Sequence, residues 1–295
     1  MKKNGEEAFD HYYRTLYTSR WEKLKAALLK PVTHVARLNA YASPKALSLL
    51  KSNYPLFQWD ENCLTSDSFP SPEITVNGLK NYYLMDPASI MPAKALNPQP
   101  GEHILDMCVA PGGKTLILAE ALNNKGQLTA NDLSAARSQR LKQVLKEYLP
   151  EEYFRNIKIT SRDATRWGLF QKETCNKILL DAPCSSERHV IQDPKELDQW
   201  SPSRIRNLAM RQYSLLSSAF MALKKGGTII YSTCSLTREE NDSVVLKLLK
   251  KHKASIEILP QDHPFGEKTE TGWHILPDQT NFGPIFFASL RKKEI

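Results

Sequence analysis

The apolar positions change rhythm along the chain. Phe9, Tyr12, Tyr13, Leu16 and Tyr17 recur at helical spacing, and Trp21, Leu24, Leu28 and Leu29 extend the same face. This pattern predicts amphipathic helix until Pro31 ends the run. Val32 to Ala40 reads as a short strand and Pro44 to Leu50 as a further helix. Residues 53–78 hold Pro55, Pro70, Pro72 and several Ser and Asn, so an irregular connection is expected there. A domain boundary is expected near Gly78, dividing a small, mainly helical N-terminal domain over 1–78 from a larger domain over 79–295. The early aromatics are expected to be core residues rather than platforms for a ligand.

After Gly78 short apolar runs alternate with longer amphipathic ones. Strands are predicted at His103–Met107, Gln127–Ala130, Ile157–Thr160, Lys177–Leu180, Gly227–Tyr231, Ile256–Leu259 and Ile285–Leu290. Helices are predicted at Lys114–Leu122, Ala135–Tyr148, Arg204–Leu223 and Glu239–Lys251. Such alternation implies an α/β architecture with a mostly parallel sheet covered on both faces. The 185–203 segment, with Arg188, His189 and Lys195, reads as a flexible loop able to close over a ligand.

Composition narrows the function classes. No apolar run approaches the ~18 residues of a membrane helix. The leading residues include acids at Glu6, Glu7 and Asp10 and lack the apolar stretch of a signal peptide, so a cytoplasmic protein is expected. The five cysteines form no Cys-x-x-Cys pair and have no histidine at zinc-ligand spacing. Reduced thiols and no metal site are therefore expected. The net charge of +8 is concentrated early, ten Lys/Arg against four Asp/Glu in residues 1–51. That imbalance favours a polyanionic partner, nucleic acid first among them, although a solvated basic surface would look the same.

In an open parallel sheet, ligands bind beyond the carboxyl ends of the strands. After the first strand comes Cys108-Val109-Ala110-Pro111-Gly112-Gly113-Lys114, a glycine turn leading into a helix. It matches neither the dinucleotide nor the Walker pattern. Asp132, Asp163 and Asp181 stand at or just after the next three strand ends. One such Asp is often a helix cap, whereas three in register with a glycine loop suit the hydroxyls and amine of a nucleoside. Asp181-Ala182-Pro183-Cys184 and Ser232-Thr233-Cys234 put two thiols at strand ends that face one cleft if the strands are neighbours. A thiolate adding to C6 of a pyrimidine would make C5 nucleophilic enough to accept a methyl group. Spacing alone leaves open which cysteine does so.

At these residues the chain resembles the Sun/Nop (RsmB-like) family of RNA cytosine-5 methyltransferases. The resemblance covers Asn81 to Leu290 and rests on Asn81–Ser89, Asp106–Lys114, Asp181–Ser185, Tyr231–Ser235 and Asn281–Pro284. Val109 departs from the family's usual Ala. The resemblance implies a Rossmann-like, seven-stranded methyltransferase fold with S-adenosyl-L-methionine over Cys108–Lys114. It further implies that Asp132 holds the ribose, Asp163 the adenine amine, and Asp181 the cytosine edge beside the cofactor. Arg137 would line the cofactor site and Lys114 would assist cofactor or base. In the family pattern Cys234 is the nucleophile and Cys184 aids product release, the reverse of DNA cytosine methyltransferases, which use the Pro-Cys thiol.

Within the family, Thr129–Ser134 with Arg137, Leu149–Glu152 and Ser185–His189 are most similar to the short ribosomal-RNA type related to the mitochondrial member. That type implies a ribosomal RNA substrate, with transfer RNA as the alternative, and an accessory RNA-binding protein as a partner. A non-catalytic ribosome-assembly factor is the competing class. It is disfavoured by the intact cysteines, Asp181 and glycine loop. Amino-group methylation would call for Asp/Asn-Pro-Pro-Tyr/Phe in place of Asp181–Cys184. Deleting residues 1–78 is expected to weaken RNA binding more than cofactor binding.

Overall fold

The structure is a computed structural model that describes residues 5–109 and 111–294. Helices α1 (Glu6–Tyr17) and α2 (Trp21–Leu29) form where the apolar spacing predicts them. They bury Phe9, Tyr13, Trp21, Leu24 and Leu28 against Val190, Trp200, Ile205, Leu236 and Leu276 from the far half of the chain. Strand β1 (Val35–Leu38), helix α3 (Pro44–Asn53), and strands β2 (Leu56–Phe57), β3 (Asp60–Thr65) and β4 (Tyr82–Met85) follow. The four strands make an antiparallel sheet in the order β2-β3-β1-β4.

The N-terminal part is mainly helical, as expected, but it also contributes three strands to a sheet, so the stretch 53–78 is not wholly irregular. β3 carries Asp60, Glu61 and Asn62, which disfavour strands on propensity. Its pairing with β1, Ala36 opposite Leu64, overrides that preference. The sheet also takes β4 from beyond Gly78. Val35, Phe57, Cys63 and Met85 then share one core with Leu116, Leu118, Ile230 and Phe287. The buried guanidinium of Arg37 on β1 pairs with Glu120.

The larger sheet is built by α4 (Pro87–Leu96), β5 (His103–Asp106), α5 (Gly113–Leu122), β6 (Gln127–Asn131), α6 (Ala135–Tyr148), β7 (Ile157–Thr160), α7 (Trp167–Phe170) and β8 (Cys175–Asp181). It continues through α8 (Glu187–Gln192), α9 (Pro194–Asp198), α10 (Pro202–Ala222), β9 (Leu223–Thr233), α11 (Asp242–His252), β10 (Ile256–Leu259), β11 (Glu267–Lys268), β12 (Trp273–Ile275), α12 (Pro277–Thr280) and β13 (Ile285–Lys292). The strand order is β11-β12-β13-β9-β8-β5-β6-β7, with β10 also paired to β13. Seven strands were expected and nine are present. The hairpin β11–β12 extends the sheet along the same β13 edge that β10 uses further on. Strands β5 to β9 run parallel, and β13 returns antiparallel to β9.

The chain order reverses at β5, which has β6 on one side and β8 on the other. A crevice opens beyond the strand ends at such a reversal. Register brings the ends together: Asp106 pairs with Leu179, and Asp181 lies opposite Ser232. The 185–203 segment is no flexible loop. It folds into α8 and α9, buries Val190 and Trp200, and donates from Arg188 to the Lys30 carbonyl at 2.6 Å and the Phe282 carbonyl at 3.2 Å.

Candidate active site

The glycine turn shapes the crevice. Gly112 has φ +118°, a left-handed conformation that a side chain would strain. A Cβ on Gly113 would lie 2.8 Å from Cε1 of Tyr83. No side chain caps the start of α5, which leaves its first N–H groups without a side-chain acceptor and suited to an anionic ligand. The cavity at this turn measures about 230 Å³ and is bordered by Cys108, Val109, Pro111, Gly112, Gly113, Lys114 and Asp181. His34, Tyr83 and Asp86 close it from the N-terminal sheet and its continuation, and Asp106 forms its base. Ala110 lies outside the described residues.

Lys114 donates to Asp181 Oδ2 at 2.7 Å. Burial alone would push the Lys114 ammonium down, but the attraction of Asp181 and this hydrogen bond outweigh it, so its pKa is raised. The Ser232 hydroxyl donates to the other Asp181 oxygen at 2.7 Å. Asp106 is almost wholly buried and accepts from Thr115 at 2.7 Å. Burial, with repulsion from Asp181 and Asp132, pushes it up to about 7. Asp86 is half-buried, accepts from the N–H of Ala88 at 2.9 Å and of Gly283 at 2.7 Å, and is raised by desolvation.

Asp181 and Ser232 are opposite each other, so the chain reaches Cys184 and Cys234 three and two residues later on the same side. Their sulfurs lie 2.7 Å apart, and the Cys234 N–H donates to the Cys184 sulfur at 3.2 Å. Both thiols are free. Ser186, held at φ +54°, brings its hydroxyl to 3.2 Å from Cys234 and 3.7 Å from Cys184. A non-glycine residue in that region is strained and persists only where its surroundings hold it. The hydrogen bond to Cys234, followed by burial, raises Cys184 well above the ordinary thiol range. Burial also raises Cys108, which keeps that thiol protonated and unreactive.

The other expected residues line the far end. Asp132, nearly buried, accepts from the Ser134 N–H at 2.9 Å. Arg137 lies 3.7 Å from its second oxygen, with a side chain 60% exposed. Asp163 is exposed and accepts from Thr165 N–H and Oγ1 at 3.0 and 2.8 Å, and these hydrogen bonds hold it low. The glycine turn therefore gathers Cys108, Val109, Pro111, Gly112, Gly113, Lys114 and Asp181 in one cavity, while Asp132, Arg137 and Asp163 stand along the next strand ends. Such a set fits an adenosyl cofactor: an uncapped helix start for a carboxylate, a glycine surface, and acids for hydroxyls and an amine.

Reading the sequence alone left Asp86, Asp106, Tyr83 and Ser232 without roles, although all four sit in motifs already singled out. His34 came without any signal, because only the N-terminal sheet carries it to the cavity. Among the described residues, no group of three or more His, Cys, Asp or Glu side chains is arranged to hold a metal ion. No helix among them is long and apolar enough to cross a membrane.

Known proteins are similar to this chain in sequence and in fold. The chain is 36% identical over 241 residues to the 5-cytosine rRNA methyltransferase NSUN4 of Bos taurus, covering 75% of this chain and 62% of that protein. It is 39% identical over 219 residues to the ribosomal RNA small subunit methyltransferase F of Klebsiella pneumoniae, covering 72% of this chain and 45% of the relative. The chain thus spans about half to three fifths of the length of these relatives. Its fold matches the crystal structure of a methyltransferase homolog protein from Pyrococcus horikoshii, with a TM-score of 0.79 at 26% identity over 96% of this chain and 94% of that one. NSun6 from Pyrococcus horikoshii, solved with SFG, shares the fold with a TM-score of 0.81 at 21% identity over 98% of both chains. A profile of the 16S rRNA methyltransferase RsmB/F family matches residues 93–291, which spans the glycine turn, Asp181 and both thiols, and the chain belongs to that family.

Proposed function

We propose that the protein transfers a methyl group from S-adenosyl-L-methionine to C5 of a cytosine in ribosomal RNA through a covalent bond between Cys234 and C6. The observation that carries this reading is the thiol pair, two free sulfurs 2.7 Å apart beside the Lys114–Asp181 pair. When bound, the cofactor supplies an electrophilic methyl group. The Cys108–Lys114 turn, Asp132 and Asp163 would hold it, with Arg137 at the rim.

The chain's own residues do the rest. Cys184, with its raised pKa, keeps its proton and can donate it to the Cys234 sulfur 2.7 Å away. The Lys114 ammonium is within electrostatic reach of Cys234. Asp181, fixed by Lys114 and Ser232, accepts from the cytosine N4 amine. Attack of Cys234 at C6 makes C5 the nucleophile. After methylation the C5 proton passes to solvent water, its electron pair restores the C5–C6 double bond as the C6–S bond breaks, and the sulfur of Cys234 leaves as a thiolate that the Cys184 thiol hydrogen-bonds. The target base must first leave its stack. An accessory RNA-binding protein and a cytoplasmic location belong to the same reading.

The test is methyl transfer from labelled cofactor to ribosomal and transfer RNA pools by wild type, Cys234→Ala and Cys184→Ala. Label in 5-methylcytosine of the ribosomal pool, lost in Cys234→Ala, and an RNA adduct trapped in Cys184→Ala, are expected. Label only in transfer RNA would replace the substrate class. RNA binding without label from either pool would favour the assembly-factor reading, unless adding a partner protein restores transfer. An adduct lost in Cys184→Ala would reverse the thiol roles.

A further inference from the structure

Behind the two thiols lies a buried cluster that the reaction does not use. Glu187 and Glu240 are both wholly buried. Glu187 Oε1 accepts the Tyr13 hydroxyl of α1 at 2.6 Å and the hydroxyls of Ser185 and Ser235, while Oε2 accepts the Leu236 N–H at 3.1 Å. Glu240 Oε2 accepts the Ser185 N–H at 3.0 Å and Gln212 Nε2 at 2.7 Å. Its Oε1 lies 3.0 Å from Ser235 Oγ. The cross-bracing is reciprocal. Glu187, three residues after Cys184, holds the residues that follow Cys234; Glu240, six residues after Cys234, holds the residue that follows Cys184. The two serines themselves touch at 3.0 Å.

Counting protons sharpens the picture. Ser235 carries one hydroxyl hydrogen and cannot donate it to both carboxyls. A proton on Glu240 resolves this, since Glu240 then donates to Ser235 Oγ and Ser235 donates to Glu187. Burial, followed by repulsion from Glu187, raises Glu240 to about 7, in accord with that count. The titratable groups that reach the pair are Tyr12, Tyr13 and Tyr17 of α1, Tyr231 of β9 and the Cys184 thiol, none of them a cation.

We propose that Glu187 and Glu240 are positioning residues for the thiol pair, holding the Cys184 turn against the Cys234 turn, and that Tyr13 makes the N-terminal helix a support of the same site. The inference rests on the covalent-cysteine reading for its effect on turnover, but its geometry concerns the sulfurs alone. At pH above the Glu240 transition a second buried charge enters the cluster, and the brace between the turns loosens.

The experiment uses the full chain and the variants Glu240→Gln, Glu240→Ala, Glu187→Gln and Tyr13→Phe. Two readouts are taken between pH 6 and 8.5: the ratio of Cys234 to Cys184 alkylation by iodoacetamide, mapped by mass spectrometry, and adduct formation with a 16S rRNA transcript in the Cys184→Ala background. Glu240→Gln places an amide where the neutral acid stood. It should match wild type at pH 6 and lose the change that wild type shows across pH 7. Glu187→Gln, and Glu240→Ala at every pH, should shift the alkylation ratio and slow adduct formation by about tenfold or more. Tyr13→Phe should produce a smaller shift in the same direction. If Glu240→Ala fails to melt cooperatively, Glu240→Gln and Tyr13→Phe decide alone. Wild-type alkylation ratios and pH profiles in the folded variants would overturn the inference. A shifted alkylation ratio with no adduct from the otherwise wild-type Cys184→Ala protein would sink the covalent reading and leave the positioning role standing.

Discussion

At the scale of single residues, short contacts around one carboxylate organise the chemistry. Asp181 accepts from Lys114 and Ser232 at once, so its orientation is set before any base arrives. Lys114→Met leaves that carboxylate without its cation, and we expect a loss of about 2 kcal/mol in stability, read by denaturant unfolding, together with loss of transfer. Gly113→Ala is a steric case. Its Cβ would meet the Tyr83 ring at 2.8 Å, so cofactor affinity should fall by about tenfold, measured by calorimetry. Tyr83→Leu in the same chain should recover part of it. Which thiol attacks is also a residue-scale matter that no spacing decides. The roles of Asp181 and of the glycine turn were legible because their strand-end positions follow from periodicity. The Glu187–Glu240 brace was not, since it depends on two turns 50 residues apart meeting.

At the scale of elements, the N-terminal part belongs to the site rather than hanging beside it. Helix α1 hydrogen-bonds the thiol-bearing turns through Tyr13 and through Tyr17, whose hydroxyl donates to the Leu236 carbonyl at 2.7 Å. Strand β1 contributes Arg37 to a buried ion pair with α5, the helix that carries Lys114. The expectation that residues 1–78 act mainly on RNA binding therefore changes. Removing them takes away three of the four strands in the smaller sheet and strips the cover from Trp200, Val190 and Leu236. We expect the 79–295 fragment to lack a cooperative thermal transition by circular dichroism; a sharp melt with intact cofactor binding would contradict this. Several of the elements that periodicity missed share a cause. β3 is polar, β2 has two residues, and α8 and α9 are short, so pairing and burial decide them rather than local propensity.

At the scale of the whole molecule, buried acids tie stability to pH. Asp106 and Glu240 are raised to about 7 in the fold, whereas exposed carboxyls release their protons near pH ~4. Between those values the folded chain holds more protons than the unfolded one. The contribution of these groups is therefore full at the acid end and lost as pH rises through 7. Asp106→Asn with Glu240→Gln should flatten the fall in denaturant midpoint between pH 4.5 and 8. A slope equal to that of wild type would show that neither group titrates in this window. The positive net charge acts differently, through released counterions, so RNA affinity should fall linearly on a log–log plot against salt while cofactor affinity does not.

The sequence by itself determined the alternation of strands and helices, the glycine turn, the acids at successive strand ends and the two thiols. These follow from local periodicity and from the rule that a parallel sheet presents its ligands at carboxyl ends. Only the tertiary structure decided that β4 completes the N-terminal sheet, that the sheet has nine strands, and that α1 reaches the thiol turns. It also decided that two carboxyls without a facing cation share the space behind those turns. Contacts of this kind are settled by what the folded chain buries together, and burial couples residues whose distance along the sequence carries no signal.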